Sequence, residues 1–476
     1  MKNLLSILCT LGVLCSLSQA AEPKHPNVVI ILFDDLSDWI SLLDPSSPIA
    51  MPQLERLARR GVSFQRAYCA APQCNPSRTA LITGFRPTTT GVYENASDWK
   101  KALPGVVTLP HYFRQHGYFS IGAGKVFHHV HPHFHDEAAF DEYLPFVAEA
   151  LPQMKLNGLT RARTPEGEWE SLAPTFDWGT SPAAEGEMLD TRSATRAAAF
   201  LKKSHEKPFF LAVGFFRPHL PYFAPPEFIA KYPLATMPMP PIKANDLDDV
   251  ATGAEALMHP WRRMFRGIQQ APDAALKWRE AIATYAAGAS YADAQLGRVL
   301  DALDASPHGE KAIIIATSDH GYHLGEKDHW TKFALWEKAT RVPLIIAAPG
   351  VTKPGSTSQR PVSLIDLYPT LIELCDLPPR ADLDGLSLVP LLRDPAAKRE
   401  RPALITEQRG NHAVRTDRWR YIRYADGSEE LYEHENDPHE WTNLAADPSF
   451  LEVIANHRRW LPEKEAAAAP RFSTKE

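Results

Sequence analysis

Cysteine is scarce in this chain of 476 residues: there are five, at positions 9, 15, 69, 74 and 375. That excludes a disulfide scaffold. Long hydrophobic runs are scarcer. The one present, Leu4 to Leu17, follows Met1-Lys2-Asn3 and precedes Ser18-Gln19-Ala20. A basic start, a short apolar core and a small-x-small end predict a signal peptide over residues 1–20, too short to span a bilayer comfortably. Leu14 is too bulky to precede a lipoprotein Cys15. The mature protein is therefore expected to be exported, periplasmic or secreted, with no stable membrane insertion. Charge of one sign is also lacking: the formal charge is −6, and no Lys/Arg tail or stripe is present. Nothing points to nucleic acid as a partner. There is no internal repeat.

What is present is an α/β pattern. Five continuous apolar runs read as strands buried on both faces: "NVVIILF" (27–33), "YFSIGAG" (118–124), "PFFLAVGFF" (208–216), "AIIIATS" (312–318) and "VPLIIAA" (342–348). Helical patterns lie between them. Ile282, Tyr285, Ala289, Ala292, Leu296, Val299 and Leu303 make one apolar face, and 363–375 is a second candidate helix. The expected fold is α/β, a large mostly parallel sheet flanked by helices, over residues 21–395. Residues 396–476 read as a smaller C-terminal α+β subdomain. In it "ALITEQ", "HAVRTDRWRYIRYADGSEELYEHENDP" and "EWTNLA" read as antiparallel strands with an Asp-Gly turn at 426–427. The tail from Lys464 is expected to fray. The 42 prolines, as in "MPMPPIK", imply long ordered loops.

Such sheets bind ligands at the carboxyl ends of their strands. Four of the five runs end in polar residues: Asp34-Asp35, Lys125, Arg217-Pro218-His219 and Asp319-His320. Gathered on one edge they would make one site. Three carboxylates and an imidazole favour a hard divalent cation, Ca2+ or Mg2+, although an Asp-Asp pair alone is equally a turn or a cap. "AAPQCNPSRTALITG" (70–84) reads as a helix with Pro76 in its first turn and Gly84 at its end, Cys74 lying just before the start. A helix start favours an anion. Arg78, one turn in, could hold an oxyanion through two hydrogen bonds. Cys74 could be a thiolate nucleophile, or a buried or disulfide-bonded cysteine with Cys69 nearby. The residues alone leave both open.

Cys74-Asn75-Pro76-Ser77-Arg78 followed by Thr83-Gly84 resembles the signature of the sulfatase family, an alkaline-phosphatase-like group. "NVVIILFDD", "GYFSIGAGKVFHH", "FFRPHLPYFAPPEF", "ATSDHGYHLGEKDHWTKFALWEKATRVPLIIAAPG" and "LYEHENDPHEWTNLA" resemble further family segments in the same order. Asp-His-Gly at 319–321, with "GKVFH" and "FFRPHLP", looks most like the iduronate-2-sulfatase branch. The resemblance implies that Cys74 is oxidised to formylglycine by a separate maturation enzyme. It implies that Asp34, Asp35, Asp319 and His320 hold Ca2+ with residue 74, Mg2+ being the lesser candidate. Arg78 and Lys125 would steady the formylglycine and the sulfate. His128 would relay the proton of the aldehyde hydrate, and His219 and Lys332 would contact sulfate and assist the leaving oxygen. One hydroxyl of the hydrate would attack sulfur and the other would later expel sulfate, which a plain cysteine cannot do. The implied activity is hydrolysis of a sulfate ester, on a 2-O-sulfated uronic acid or a similar unit of a sulfated polysaccharide. A phosphoester or phosphonate hydrolase, or an inactive carbohydrate-binding relative, are the alternatives.

Other features read more plainly. "HHVHPHFH" (128–135) is expected to be a structured loop in which His128 is catalytic, rather than a transition-metal tract. Asn95-Ala96-Ser97 is a glycosylation sequon or a surface turn. Phe215, Phe216, Trp330, Phe333 and Trp336 are expected to be core or pocket wall rather than sugar platforms.

Overall fold

The structure, a computed structural model, describes residues 25–128, 132–145 and 155–473. The signal segment with Cys9 and Cys15, and His129 and His131 of the histidine run, lie outside the described residues.

Nine strands form one sheet: β1 (Val28–Asp34), β2 (Val62–Tyr68), β3 (Phe119–Gly124), β4 (Glu142–Pro145), β5 (Phe209–Pro218), β6 (Ile313–Ser318), β7 (Arg341–Ala347), β8 (Ser356–Ser358) and β9 (Val362–Ser363). The order is β8-β2-β7-β6-β1-β5-β3-β4, with β9 also on β2. Only β7 runs against the others. The sheet is thus mostly parallel. The exception explains a detail of the sequence: β7 is the run without polar residues at its end, because that end lies on the opposite edge.

Successive residues of β1 face opposite sides. Val29, Ile31 and Phe33 enter one core cluster, and Val28, Ile30 and Leu32 the other. Helices α2 (Leu189–Leu201), α3 (Thr252–Gln269) and α4 (Ala274–Asp304) contribute to the first cluster; α1 (Cys74–Thr83) and α5 (Leu367–Leu374) contribute to the second. The predicted apolar stripe of α4 is buried at all its positions, from Ile282 to Leu303. Each large aliphatic residue so buried contributes roughly 1.5–3 kcal/mol. The second predicted helix is α5, entered through a short 3-10 turn at Leu364–Asp366. β2 was not anticipated, because Gln65 and Arg66 interrupt its apolar run.

Strands β10 (Ala403–Thr406), β11 (His412–Arg415), β12 (Trp419–Arg423) and β13 (Glu429–Glu433) form a separate antiparallel sheet in sequence order. The 426–427 turn joins β12 to β13 as predicted, with Gly427 at φ 86°. A buried ion-pair group attaches this sheet to the main one. Glu337 accepts from Tyr68 Oη (2.9 Å), Arg415 Nε (3.3 Å) and Arg420 Nη2, and Arg420 Nε pairs with Glu440 Oε1 at 2.6 Å.

Two expectations for this region fail. "EWTNLA" is not a strand; it returns beside β13 with Leu444 N donating to Leu431 O at 2.9 Å. Nor is the described part of the tail, 464–473, frayed. Ala466 N donates to Thr88 O, Ala469 N to Gly91 O and Phe472 N to Ala96 O, while Asp98 N donates to Pro470 O. Phe472 stacks on His133 at 4.8 Å, and Glu465 Oε1 meets His412 Nε2 at 3.0 Å. Four backbone bonds and an aromatic contact outweigh the weak propensity of "KEAAAAPRF".

Candidate active site

The parallel strands β1, β3, β5 and β6 deliver their polar ends to one edge. At β3 and β5 two glycines make this possible. Gly124 is left-handed (φ 75°), and a Cβ there would lie 2.1 Å from Gly214 O; a Cβ on Gly214 would lie 2.0 Å from Lys125 O. The chain therefore crosses closely as Lys125 turns toward β1.

Asp34 Oδ2 accepts from Lys125 Nζ, and Asp34 Oδ1 lies 3.3 Å from Arg78 Nη2. Burial pushes the Asp34 carboxyl up, but Lys125, His219 and Arg78 together hold the group well below the usual range. Asp35 follows in the left-handed region at φ 63°. Its backbone is tied down at both its amide and its carbonyl. Asp35 N donates to Asp319 Oδ1 (3.2 Å), Tyr285 Oη donates to Asp35 O (2.7 Å), and Ser37 N donates to Tyr285 Oη (2.8 Å). Asp35 Oδ1 accepts from Lys332 Nζ at 2.6 Å, while Oδ2 is buried and accepts no hydrogen bond. Lys332 sits between strained neighbours, Thr331 at φ 86° and Phe333 at φ 69°. Such residues cost of order 1–3 kcal/mol each and persist only where packing fixes them. Here Trp261 stacks on Phe333 at 3.7 Å, and His329 Nε2 donates to Lys332 O at 2.6 Å.

Cys74 is the first residue of α1, with Gln73 at the N-cap, so the helix begins one residue earlier than predicted; Gly84 closes it at φ 75°. Cys74 Sγ lies 3.3 Å from His320 Nε2 and 3.4 Å from Lys332 Nζ, and the thiol hydrogen-bonds His128. Burial raises the thiol pKa, but Lys332, Lys125 and His320 together pull it well below its ordinary value. The site is thus strongly electropositive at residue 74. His128 is held neutral, pulled down to about 4 by burial. His219 lies at a partly exposed rim, Nε2 3.8 Å from Asp35 Oδ2 and Nδ1 2.6 Å from Leu220 O. Cys69, Cys74 and Cys375 are all free thiols, so Cys69 and Cys74 are not paired.

Arg78 is occupied by protein partners. Its Nε donates to Asp319 Oδ2 (2.9 Å), Nη1 to the carbonyls of Lys125 and Val126, and Nη2 to Phe33 O and Asp34 Oδ1. The whole donor fork is used. Arg78 thus braces two carboxylates and a strand end.

Ligand atoms of Asp34, Asp35, Cys74 and His320 lie within 4.8 Å of one another, the spread one ion can bridge. Asp319 lies beside this group: Oδ2 is 3.6 Å from His320 Nε2, and Oδ1 accepts from the amides of Asp35 and His320. The buried acceptor Asp35 Oδ2 and the carboxylate-rich donor set fit a hard divalent cation.

Sequence reading missed the supports. Tyr285 reads as one more apolar position of α4. Asp190 of α2 accepts from Phe216 N (2.6 Å) and Arg217 N (3.0 Å), fixing the strand end before His219. Asn95, the sequon residue, accepts from Asn75 N at 2.9 Å, and Asn75 Nδ2 donates to Ser97 O at 2.8 Å. The 94–97 turn therefore cages the start of α1, and the C-terminal tail straps that turn from outside. Of the histidine run, His133 meets Asp98 at 2.8 Å. Trp330 is core, donating to Tyr222 Oη at 3.0 Å.

The profile described as Sulfatase matches residues 26–377, and that of the N-sulphoglucosamine sulphohydrolase C-terminal region matches 325–467. A sulfatase of Formosa agariphila is 37% identical over 459 residues, covering 94% of this chain and 88% of its own. Iduronate 2-sulfatase of Homo sapiens is 31% identical over 395 residues, 74% of this chain and 70% of its own. The delta 4,5-hexuronate-2-O-sulfatase of Bacteroides thetaiotaomicron is 27% identical, covering 94% and 90%. Among solved structures, phosphonate monoester hydrolase of Agrobacterium radiobacter superposes with a TM-score of 0.74 at 21% identity, over 91% of this chain and 94% of that one. A 2-O GAG sulfatase superposes at 0.69 with 25% identity, over 91% and 90%. The fold is the alkaline-phosphatase-like one. Since the matched span carries both the Asp34-Asp35 strand end and the Asp319-His320 pair, the chain belongs to the sulfatase family.

Proposed function

We propose that this protein is an exported sulfuric ester hydrolase acting on a sulfated saccharide, the favoured class being a 2-O-sulfated uronic acid unit. Residue 74 is matured from cysteine to formylglycine by a separate enzyme, and Asp34, Asp35, Asp319, His320 and residue 74 hold Ca2+. The observation that carries the reading is the placement of residue 74. It opens a helix, 3.4 Å from Lys332 Nζ and 3.3 Å from His320 Nε2, within one ion's span of two carboxylates. When present, the cation supplies Lewis-acid polarisation of a sulfate oxygen, and the hydrated aldehyde supplies a nucleophilic oxygen and a route for releasing sulfate.

The chain's own residues do the rest. Lys125 and Lys332 neutralise the anionic ester and its developing charge. Burial opposes the charge on Lys332, but Asp35, Cys74 and Asp34 together hold its pKa well above the ordinary value. His128, neutral and bonded to residue 74, is placed to accept a proton there. His219 commits Nδ1 to Leu220 O, which leaves Nε2 facing the site from its rim, placed to protonate the leaving oxygen. Arg78 orients Asp34 and Asp319. The 2-O preference rests on the names of the two uronate relatives and on the 319–321 motif.

The test pairs mass and turnover. A tryptic peptide spanning residue 74 should be about 18 Da lighter than its cysteine form. Cys74→Ser should lose aryl sulfate cleavage while any aryl phosphate or phosphonate cleavage is not lost in parallel. A panel of defined oligosaccharides should lose mass only where a 2-O-sulfated uronate is present. An unconverted thiol with retained sulfate turnover would sink the reading.

A further inference from the structure

A two-stranded hairpin, Arg161–Arg163 with Trp169–Ser171, projects beside α3. Its register pairs Arg163 with Trp169, Ala162 with Glu170 and Arg161 with Ser171. Alternation then puts Arg161, Arg163, Trp169 and Ser171 on one face and Ala162 and Glu170 on the other. The second face is satisfied: Ala162 is fully buried, and Glu170 accepts from Arg266 Nη2 of α3. The first face is open. Trp169 is 50% exposed, and the guanidinium carbons of Arg161 and Arg163 lie 4.2 and 4.6 Å from its ring centroid. Among the described residues neither guanidinium is paired with a carboxylate; that of Arg163 donates to Gly167 O at 3.2 Å. Glu166 and Glu168 belong to the turn, where Glu168 pairs with Thr164 on the inner face.

An indole held between two cations that lack counter-charges, on a protein whose net charge is −6, is a local feature rather than general basicity. We propose that this face docks the sulfated saccharide chain outside the catalytic pocket. The inference rests on the proposed substrate class. The chemistry matches: each guanidinium can fork onto a sulfate or carboxylate, and the indole offers an apolar edge to a sugar ring while stiffening both arginines. The hairpin is also anchored to the helix that packs on the Lys332 segment. Trp330, two residues before Lys332, stacks with Phe265 of α3 at 6.1 Å; the next residue, Arg266, grips the hairpin through Glu170, and Leu172 packs on Gly267. Three contacts join the platform to the lysine that faces residue 74.

The experiment uses the full chain and two variants, Trp169→Ala and the double variant Arg161→Ser with Arg163→Ser. Affinity for dextran sulfate is measured beside unsulfated dextran and double-stranded DNA, and turnover of a small aryl sulfate is measured separately. The wild type should bind dextran sulfate, not dextran, and each variant should bind about tenfold more weakly, the equivalent of one lost charge-assisted contact. Small-ester kcat/KM should stay within about twofold, since the platform lies outside the pocket. Unchanged affinity in both variants overturns the proposal. So does equal loss on the small ester, which marks a structural role, or equally arginine-dependent binding of DNA, which marks a generic polyanion site. Because binding is read without turnover, failure of the sulfatase reading shows in the aryl sulfate assay and leaves the platform decided by the affinities.

Discussion

Removing one oxygen atom from α4 should loosen the site. Tyr285 Oη donates to Asp35 O at 2.7 Å and accepts from Ser37 N at 2.8 Å, and Asp35 between them holds a left-handed φ of 63°. Tyr285→Phe keeps the ring against Tyr222 and Tyr322 and deletes only the hydroxyl. Two buried backbone groups lose their partner, at roughly 1–3 kcal/mol each, so a loss of about 2–6 kcal/mol is expected. The strain at Asp35 loses its restraint as well, and the carboxylate that meets Lys332 and faces residue 74 can relax outward. Urea denaturation should give the stability loss, and kcat on an aryl sulfate should fall about 10- to 100-fold. Tyr291→Phe is the control. On the same helix it loses two comparable bonds, with Thr191 N at 3.1 Å and Thr191 Oγ1 at 2.8 Å, away from the Asp34-Asp35 turn. It should cost stability and leave kcat nearly unchanged. Equal activity losses in the two variants, or full activity in Tyr285→Phe, would refute the argument.

Other consequences are sharper where charge is buried. Arg78→Lys keeps the charge but cannot span two carboxylates and three carbonyls; about 3–5 kcal/mol of stability should go, with at least about 100-fold in kcat, both read on purified protein. Acid should destabilise the fold through buried imidazoles. His329 is pulled down to about 4 by burial, and His323 is lowered too. The unfolded chain takes up their protons near pH 6.5, so stability is intact above that value and drains as pH falls toward 4, by about 3 kcal/mol for His329. His329→Gln should flatten that slope in thermal melts. A chain ending at Glu463 loses the strap over 88–98 and should show lower kcat at unchanged KM on a small aryl sulfate, since the strap orders the start of α1 and touches no substrate.

How much of this was legible beforehand follows from what each signal depends on. The five sheet runs and the α4 stripe were readable because burial on two faces, or on one, leaves a local period in the sequence. The convergence of Asp34, Lys125, His219 and Asp319 followed from parallel strands, a topological rule. β2 was hidden by two polar residues on its more open side. The roles of Arg78, Tyr285 and Asn95 were hidden for another reason: each is fixed by partners 20 to 250 residues away, and no spacing along the chain encodes those. The tail was misread because alanine and proline carry no pattern of their own, while its hydrogen-bond partners lie on a loop nearly 380 residues earlier.

The same partners set a charge condition on the site. Asp34, Asp35 and Asp319 oppose Arg78, Lys125 and Lys332, three against three, all buried. The side chains therefore balance, and a divalent cation held by the carboxylates adds an excess of positive charge in a space with little water to screen it. A buried unit charge at about 4 Å is worth roughly 4 kcal/mol at an effective dielectric constant near 20. An anion entering the pocket relieves that excess, so cation and anion should bind with strong positive coupling, about 100-fold or more, and by linkage each must tighten the other equally. Titration calorimetry can measure both legs: Ca2+ with and without saturating inorganic sulfate, and sulfate with and without Ca2+ after chelation. Ca2+ should restore chelated enzyme better than Mg2+, because a five-residue set that includes an imidazole and residue 74 suits the more flexible coordination shell. If sulfate binds chelated protein as tightly as it binds the Ca2+-loaded form, the carboxylates serve only their lysines and arginine, and the cation has no place among them.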